Sequence, residues 1–265
     1  MILVSNDDGP ASPGLRSLIR ALSKIDEVRF SIPEGPRSGS SMSLTFHKPI
    51  RIREAEIEGA RGFICSGSPA DAIVVAHIML DRKPDVVATG INLGDNTGLQ
   101  DIYSSGTVAG ALQAAILGYR SVAFSKRISD EFILYPYAKL EEFEMPAQVA
   151  ARIVGFVLDR GLPSNAQLLN VNFPVSVSER TPATITRASP VKYEHYLDRR
   201  LDPRGRDYYW LWGKRLGKYP EGTDAHAVFD REEISITPMR LDLSVPEIKQ
   251  EDSSWYRDLI ARIWE

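Results

Sequence analysis

A single cysteine, Cys65, stands in 265 residues, so no disulfide can close within the chain and a reducing compartment suits it. Its neighbours in Phe63-Ile64-Cys65 mark the thiol as a small buried hydrophobe. Basic residues do not exceed acidic ones. The 32 Lys and Arg against 35 Asp and Glu give a net charge of -3, without the basic stripe of a nucleic-acid binder. No stretch approaches the ~20 apolar residues of a membrane-spanning helix. The apolar start, Met1 to Val4, is too short for a secretory signal and runs directly into Asn6-Asp7-Asp8. These absences predict a cytoplasmic protein with neither nucleic acid nor membrane as partner. Gly-Lys-Ser/Thr is missing too, which excludes a Walker A loop, and "GINLGDNTG" matches GxGxxG only loosely.

What is present is alternation. Ile2-Leu3-Val4 reads as a strand, and Leu15, Leu18, Ile19 and Leu22 then repeat at helical spacing. Val28 to Ile32 reads as a second strand. Ser68-Pro69-Ala70-Asp71 carries a helix start: Ser as N-cap, Pro at the first position and Asp as reciprocal partner three on. "DVVATG" (85–90), "SVAFS" (121–125) and "LLNVNF" (168–173) read as buried strands. "GTVAGALQAAILG" and "PAQVAARIVGFVLDRG" read as helices between them. Such alternation predicts an α/β fold, a doubly wound, mostly parallel, Rossmann-like sheet covered on both faces. From Thr181 the texture changes: "ATITRA", "YYWLWG" and "ISITPM" are strand-like without helices between them. The chain closes on an amphipathic helix with Trp255, Leu259, Ile263 and Trp264 on its apolar side. The expected division is a catalytic core over 1–180 and a β-rich extension over 181–265, working as one functional domain.

Open parallel sheets bind ligands beyond the carboxyl ends of their strands. Asn6-Asp7-Asp8-Gly9, "GPRSGSS" and "GINLGDN" follow three of the predicted strands. Together they offer Asp7, Asp8 and Asp95, the hydroxyls of Ser38, Ser40 and Ser41, and the amides of Asn92 and Asn96. An all-oxygen set suits Mg²⁺, Mn²⁺ or Ca²⁺ and suits zinc poorly. Asp-Asp-Gly alone is as well explained by a solvated turn. Its place directly after a strand argues for more, because Gly9 permits a bend that lets adjacent acids converge and Pro10 stops the ladder. Ser105-Gly106-Thr107 opens a helix whose first turn presents free N–H groups and the positive dipole end, a ready anion site. A cation beside an anion pocket points to phosphoryl chemistry.

The motifs "VSNDDG", "RSGSSMSLT", "GSPADAI", "GIN", "SGTVAGAL" and "ISITPM" occur in an order that resembles the SurE family, the survival-protein nucleotidases. The resemblance implies one divalent cation, Mg²⁺ or Mn²⁺, held by Asp7, Asp8, Ser38 and Asn92. It implies a phosphate pocket at Asn96, Ser105, Gly106 and Thr107, with Asp7 and Asp8 as the catalytic acids. The implied reaction is hydrolysis of nucleoside monophosphates to nucleoside and phosphate, a 5′-nucleotidase. Activity on 3′-monophosphates and short polyphosphate is left open. "LQDIYSSGT" is one residue longer than the usual Tyr-Ser-Gly-Thr form, which leaves the roles of Ser104 and Ser105 exchangeable.

Of the four histidines, His77 reads as a packed helix residue, and only His226, after Thr223-Asp224, is a candidate acid or base. Tyr208, Tyr209, Trp210 and Trp212 exceed what an isolated exposed hairpin carries in water. They complete a core or form a subunit contact, and the resemblance implies a homodimer or homotetramer through this hairpin and the terminal helix. A non-catalytic nucleotide-binding regulator is the alternative function. A haloacid-dehalogenase-type phosphatase fits less well, because its acids are spaced Asp-x-Asp.

Overall fold

A computed structural model of the chain describes residues 1–129, 139–244, 249 and 252–263. Its centre is a nine-stranded sheet built from β1 (Ile2–Ser5), β2 (Val28–Pro33), β3 (Ile52–Ile57), β4 (Ala60–Cys65), β5 (Val86–Leu93), β6 (Ser121–Lys126), β7 (Leu168–Phe173), β8 (Ala183–Ile185) and β11 (Ile234–Met239). The strand order is β3-β4-β2-β1-β5-β6-β7-β11-β8. β1, β2, β4, β5, β6 and β7 run parallel, whereas β3 and β11 are antiparallel to their neighbours β4 and β7. The expected mostly parallel, doubly wound α/β sheet is therefore present. Its order reverses between β1 and β5, which places the switch point at the end of "ILVS".

Alternation along β1 divides the core. Ile2 and Val4 join the cluster formed with α1 (Pro13–Leu22) and α5 (Glu144–Arg160). Leu3 joins the cluster formed with α2 (Pro69–Met79) and α4 (Gly106–Ile116). All four β1 residues are buried, as a central strand covered on both faces must be. α1 is capped by Ser12, whose hydroxyl accepts from Leu15 N at 3.3 Å, and Pro13 takes the first turn. α2 carries the full reciprocal cap between Ser68 and Asp71. Cys65 is buried and free.

Several expectations change. β5 does not stop at Gly90 but runs to Leu93, with its register against β6 shifting between Thr89 and Asn92. The segment "INL" read as loop is thus strand, re-aimed by a bulge. The β3–β4 hairpin was not visible as strands, because "IREAEI" is a charged edge whose residues favour strands weakly. α3 (Gly98–Ser104) also went unseen, being seven residues long with Thr and Gly at its start. In the C-terminal part, β8 and β11 enter the main sheet. β9 (Tyr193–Leu201) and β10 (Asp207–Arg215) form a separate antiparallel ribbon. α6 (Ser253–Arg262) forms as predicted and buries none of its residues, and Trp264 lies outside the described residues. Among the described residues no helix is long and apolar enough to cross a membrane.

Gly14 shows how tightly α1 lies on the sheet. A Cβ there would sit 1.9 Å from the Ile91 carbonyl oxygen and 3.2 Å from the Phe143 ring. Gly14→Ala should therefore destabilise the chain by about 1–3 kcal/mol or more, because the clash is with backbone that cannot rotate away. Urea unfolding of the variant checks this, and a midpoint unchanged from the parent would contradict the close approach.

Candidate active site

The switch point gathers most of the oxygen groups singled out above. Gly9, with φ +82°, turns the chain after Asp8 and packs where a Cβ would lie 2.9 Å from Gly35 Cα. β1 ends at Ser5, so Asp7 and Asp8 stand past the strand, where the alternation of its faces no longer separates them. Both are buried, at 4% and 8% exposure.

Asp7 reaches the first turn of α4. The Thr107 hydroxyl donates to Asp7 Oδ1, and the backbone N–H groups of Gly106 and Thr107 also serve the carboxylate. Burial pushes the Asp7 carboxyl above its ordinary range, and these donors pull it back part of the way. Gly106 is required by approach: a Cβ would fall 2.7 Å from Asp7 Cβ and 2.8 Å from Ser40 Oγ. The Ser105 hydroxyl accepts from Val108 N at 3.1 Å and caps α4. Ser104 instead ends α3, with its hydroxyl donating to Gln100 O at 3.0 Å. In this chain Ser105 therefore opens the first turn of α4, and Ser104 does not.

The serine loop is pinned along its length. Arg37 N donates to Asp7 O at 2.7 Å, which sets Ser38 one residue from the Asp7 backbone. Ser41 N donates to Ser104 O at 3.0 Å and Ser41 Oγ to Tyr103 O at 2.6 Å. Further on, Thr45 Oγ1 donates to Asp71 Oδ2 at 2.6 Å, and Ser68 Oγ to Ser43 O at 2.6 Å. From the other side, Asp8 Oδ2 accepts from Leu93 N at 3.3 Å. Asn92 Nδ2 donates to Gly94 O at 2.8 Å, a bond that does not use its amide oxygen.

The donor set fits a hard divalent cation. Asp7, Asp8, Ser38 and Asn92 bring only carboxylate, hydroxyl and amide oxygens. Ser40 Oγ and Asn6 Oδ1 beside them are buried without a hydrogen-bond partner, an arrangement that an oxygen-seeking ion would relieve. Among the described residues no group of three or more His, Cys, Asp or Glu gathers, so the two carboxylates need neutral oxygens to complete a sphere.

Asn96 lies deeper. Its N–H donates to Asn172 Oδ1 at 2.7 Å and its side-chain amide to Ser125 Oγ at 2.8 Å, while Asn170 Nδ2 donates to Asn96 O at 2.9 Å. Asn170 and Asn172 were missed by sequence reasoning. Two amides in the otherwise apolar "LLNVNF" were the available signal, because a buried amide demands partners. Asp95 is not a spare ligand: it accepts from Lys192 Nζ and the Thr97 hydroxyl.

Lys192 is the main residue that the sequence concealed. It is buried and bridges Asp95 to Asp101, joining the residue before β9 to the loop after β5 and to α3. Tyr193 donates to Asp101 at 2.9 Å, and its phenol is pushed up to about 12 by burial and by the Asp101 charge. Asp224 clasps the same region, its carboxylate accepting from Gly98 N, Ser189 N and Ala225 N at 2.7–2.8 Å. His226 is half-buried beside this clasp, its N–H donating to Thr223 Oγ1 at 3.3 Å.

Against known proteins, the family described as "Survival protein SurE" matches residues 2–195. The chain is 35% identical over 260 residues to a 5′-nucleotidase SurE of Methanocella arvoryzae, covering 97% of this chain and 98% of that one. It is 41% identical over 244 residues to a 5′-nucleotidase SurE of Pyrobaculum arsenaticum, covering 92% and 90%. A solved structure of the SurE protein from Aquifex aeolicus superposes with a TM-score of 0.80 at 34% identity, covering 98% and 99%.

The Lys192 bridge makes a prediction about pH. Burial works to raise the Asp95 carboxyl, yet the Lys192 charge holds it below its ordinary value. For Asp101 burial prevails and the pKa is raised. The stability that Asp95 supplies is thus present above the unfolded carboxylate range and lost as pH falls through its depressed value. Lys192→Met should cost about 3–5 kcal/mol near pH 7, because two buried acids lose their cation. The deficit should shrink as pH falls toward 5 and both take up protons. Urea unfolding of parent and variant at several pH values measures it, and a deficit that grew on acidification would refute the account.

Proposed function

The chain belongs to the SurE family, and on that premise we propose that it is a metal-dependent phosphomonoesterase, a 5′-nucleotidase that releases phosphate from nucleoside monophosphates. The observation that supports it most is the meeting of Asp7 with the first turn of α4 at the sheet's switch point, beside Asp8. Acid oxygens and a helix N-terminus in one place are what a bridging cation and a phosphate require.

Asp7, Asp8, Ser38 and Asn92 would hold one divalent ion, Mg²⁺ or Mn²⁺. Such an ion supplies Lewis-acid polarisation of the phosphoryl oxygens. The chain's own groups do the rest. Ser105, Gly106 and Thr107, with Asn96, receive the phosphate. Thr107 fixes the Asp7 carboxylate by hydrogen bond. In hydrolysis a water oxygen forms a bond to phosphorus as the ribose oxygen leaves in line, and one of the two acids takes the water's proton. The retained oxygen set argues against a regulator that binds nucleotide without turnover.

We also assign the exposed aromatic ribbon and α6 to a homodimer or homotetramer contact. Trp210 and Trp212 remain 51% and 40% exposed in the single chain, so the core-completing alternative is not realised within it. The lone buried thiol supports a cytoplasmic setting.

Phosphate release should vanish on EDTA treatment and return with Mg²⁺ or Mn²⁺. Asp8→Asn should lower kcat by about 10²-fold or more, the scale for deleting one preorganised electrostatic group. Full activity after exhaustive chelation would sink the metal assignment. Light scattering should report two or four times the 29.5 kDa chain mass, and a clean monomer would overturn the contact.

A further inference from the structure

A cavity opens beside the end of β5, the strand that carries Asn92. Its volume is about 200 Å³, and Gly94, Asp95, Arg127, Lys192, Arg215 and Phe229 form most of its wall. Whole small-molecule sites run to ~300–1,000 Å³, so this one takes part of a ligand. Its position says which part. Gly94 follows Leu93, whose N–H bonds the Asp8 carboxylate, and Gly94 O accepts from Asn92. The wall therefore begins two residues from Asn92, a proposed metal ligand, so with the phosphate held at that metal the part of a nucleotide left to occupy the cavity is its nucleoside.

The wall is unevenly supplied with donors. Three cations surround one ring: the Arg127, Arg215 and Lys192 charges lie 4.4, 4.9 and 5.3 Å from the Phe229 centroid. Stacking on the ring leaves a guanidinium's N–H edges directed outward. Arg127 Nε is buried and has no hydrogen-bond partner. Among the wall's acceptors, Asp95 Oδ1 takes Lys192 and Thr97 and Gly94 O takes Asn92, and the Tyr193 hydroxyl spends its proton on Asp101. A donor-rich wall favours a base edge made of acceptors. Guanine and hypoxanthine present O6 with N7 there, whereas adenine places an amine donor beside N7.

We infer that this cavity is the base subsite, and that Arg127 reads the O6/N7 edge of a 6-oxopurine in preference to adenine. The inference rests on the nucleotidase reading above and names the substrate class of that site.

The test compares kcat/KM of the Mg²⁺-loaded enzyme for GMP, IMP, AMP and p-nitrophenyl phosphate, the last carrying no base. GMP and IMP should exceed AMP by about tenfold or more, the scale of one bidentate base contact. Arg127→Met should abolish that preference, mainly through KM, and lower the ratio of GMP to p-nitrophenyl phosphate by a similar factor. Arg127→Lys keeps the charge beside Phe229 but not the fork, and should lose the preference as well. An enzyme indifferent to the base, or one favouring AMP, overturns the proposal. So does a variant in which GMP and p-nitrophenyl phosphate decline together.

Calorimetric titration with guanosine and adenosine needs no turnover. Tighter guanosine binding that Arg127→Met removes supports the subsite, and equal binding overturns it. If no phosphate ester were cleaved while guanosine still bound selectively, the nucleotidase reading would fail and the base site would stand.

Discussion

The contact between Asp7 and the first turn of α4 is the constraint around which the site is arranged. A buried carboxylate is costly unless its charge is answered. Here the answer comes from a hydroxyl and two N–H groups at the positive end of a helix. For that terminus to reach Asp7, residue 106 must lack a side chain, and β1 must end in a turn that frees two consecutive acids. One interaction thus accounts for Gly106, Thr107 and Gly9, and for the crossover that brings α4 back to β1.

A further set of buried charges secures the surroundings. Lys192, the residue just before the first strand of the antiparallel ribbon, neutralises Asp95 and Asp101 on the segment following β5. Asp224 ties the same segment to the loop before β11. The C-terminal third is therefore joined to the loop of Asp95 and Asn96, just past β5, by buried charge and by hydrogen bonds. A change in the ribbon's packing would be felt at that loop. In this sense the extension belongs to the site's support as well as to the sheet, where β8 and β11 add its last two strands.

Much of the fold was legible because its signals are local. Apolar runs such as "ILVS" and "LLNVNF", and the Ser68-Pro69-Ala70-Asp71 cap, mark elements by chemistry within a few residues. β3 and β9 were not legible, since "IREAEI" and "YEHYLDRRL" are charged strands whose pairing partners, not their composition, make them strands. The end of β5 was misread for a related reason. Glycine and asparagine look like loop, yet the neighbouring β6 continues to pair past the bulge.

The sequence by itself determined the oxygen chemistry of the site, the positions of its acids and amides after predicted strands, and the order of motifs that marks the family. Only the tertiary structure decided which of these groups meet. Asp7 and Thr107 lie 100 residues apart, and Asp95 and Lys192 lie 97 apart. No local pattern encodes those pairs, because the crossovers and the long return of the chain bring them together. The same holds for Arg127, an ordinary surface arginine by sequence. Its place over the Phe229 ring depends on three distant segments folding onto one edge of the sheet.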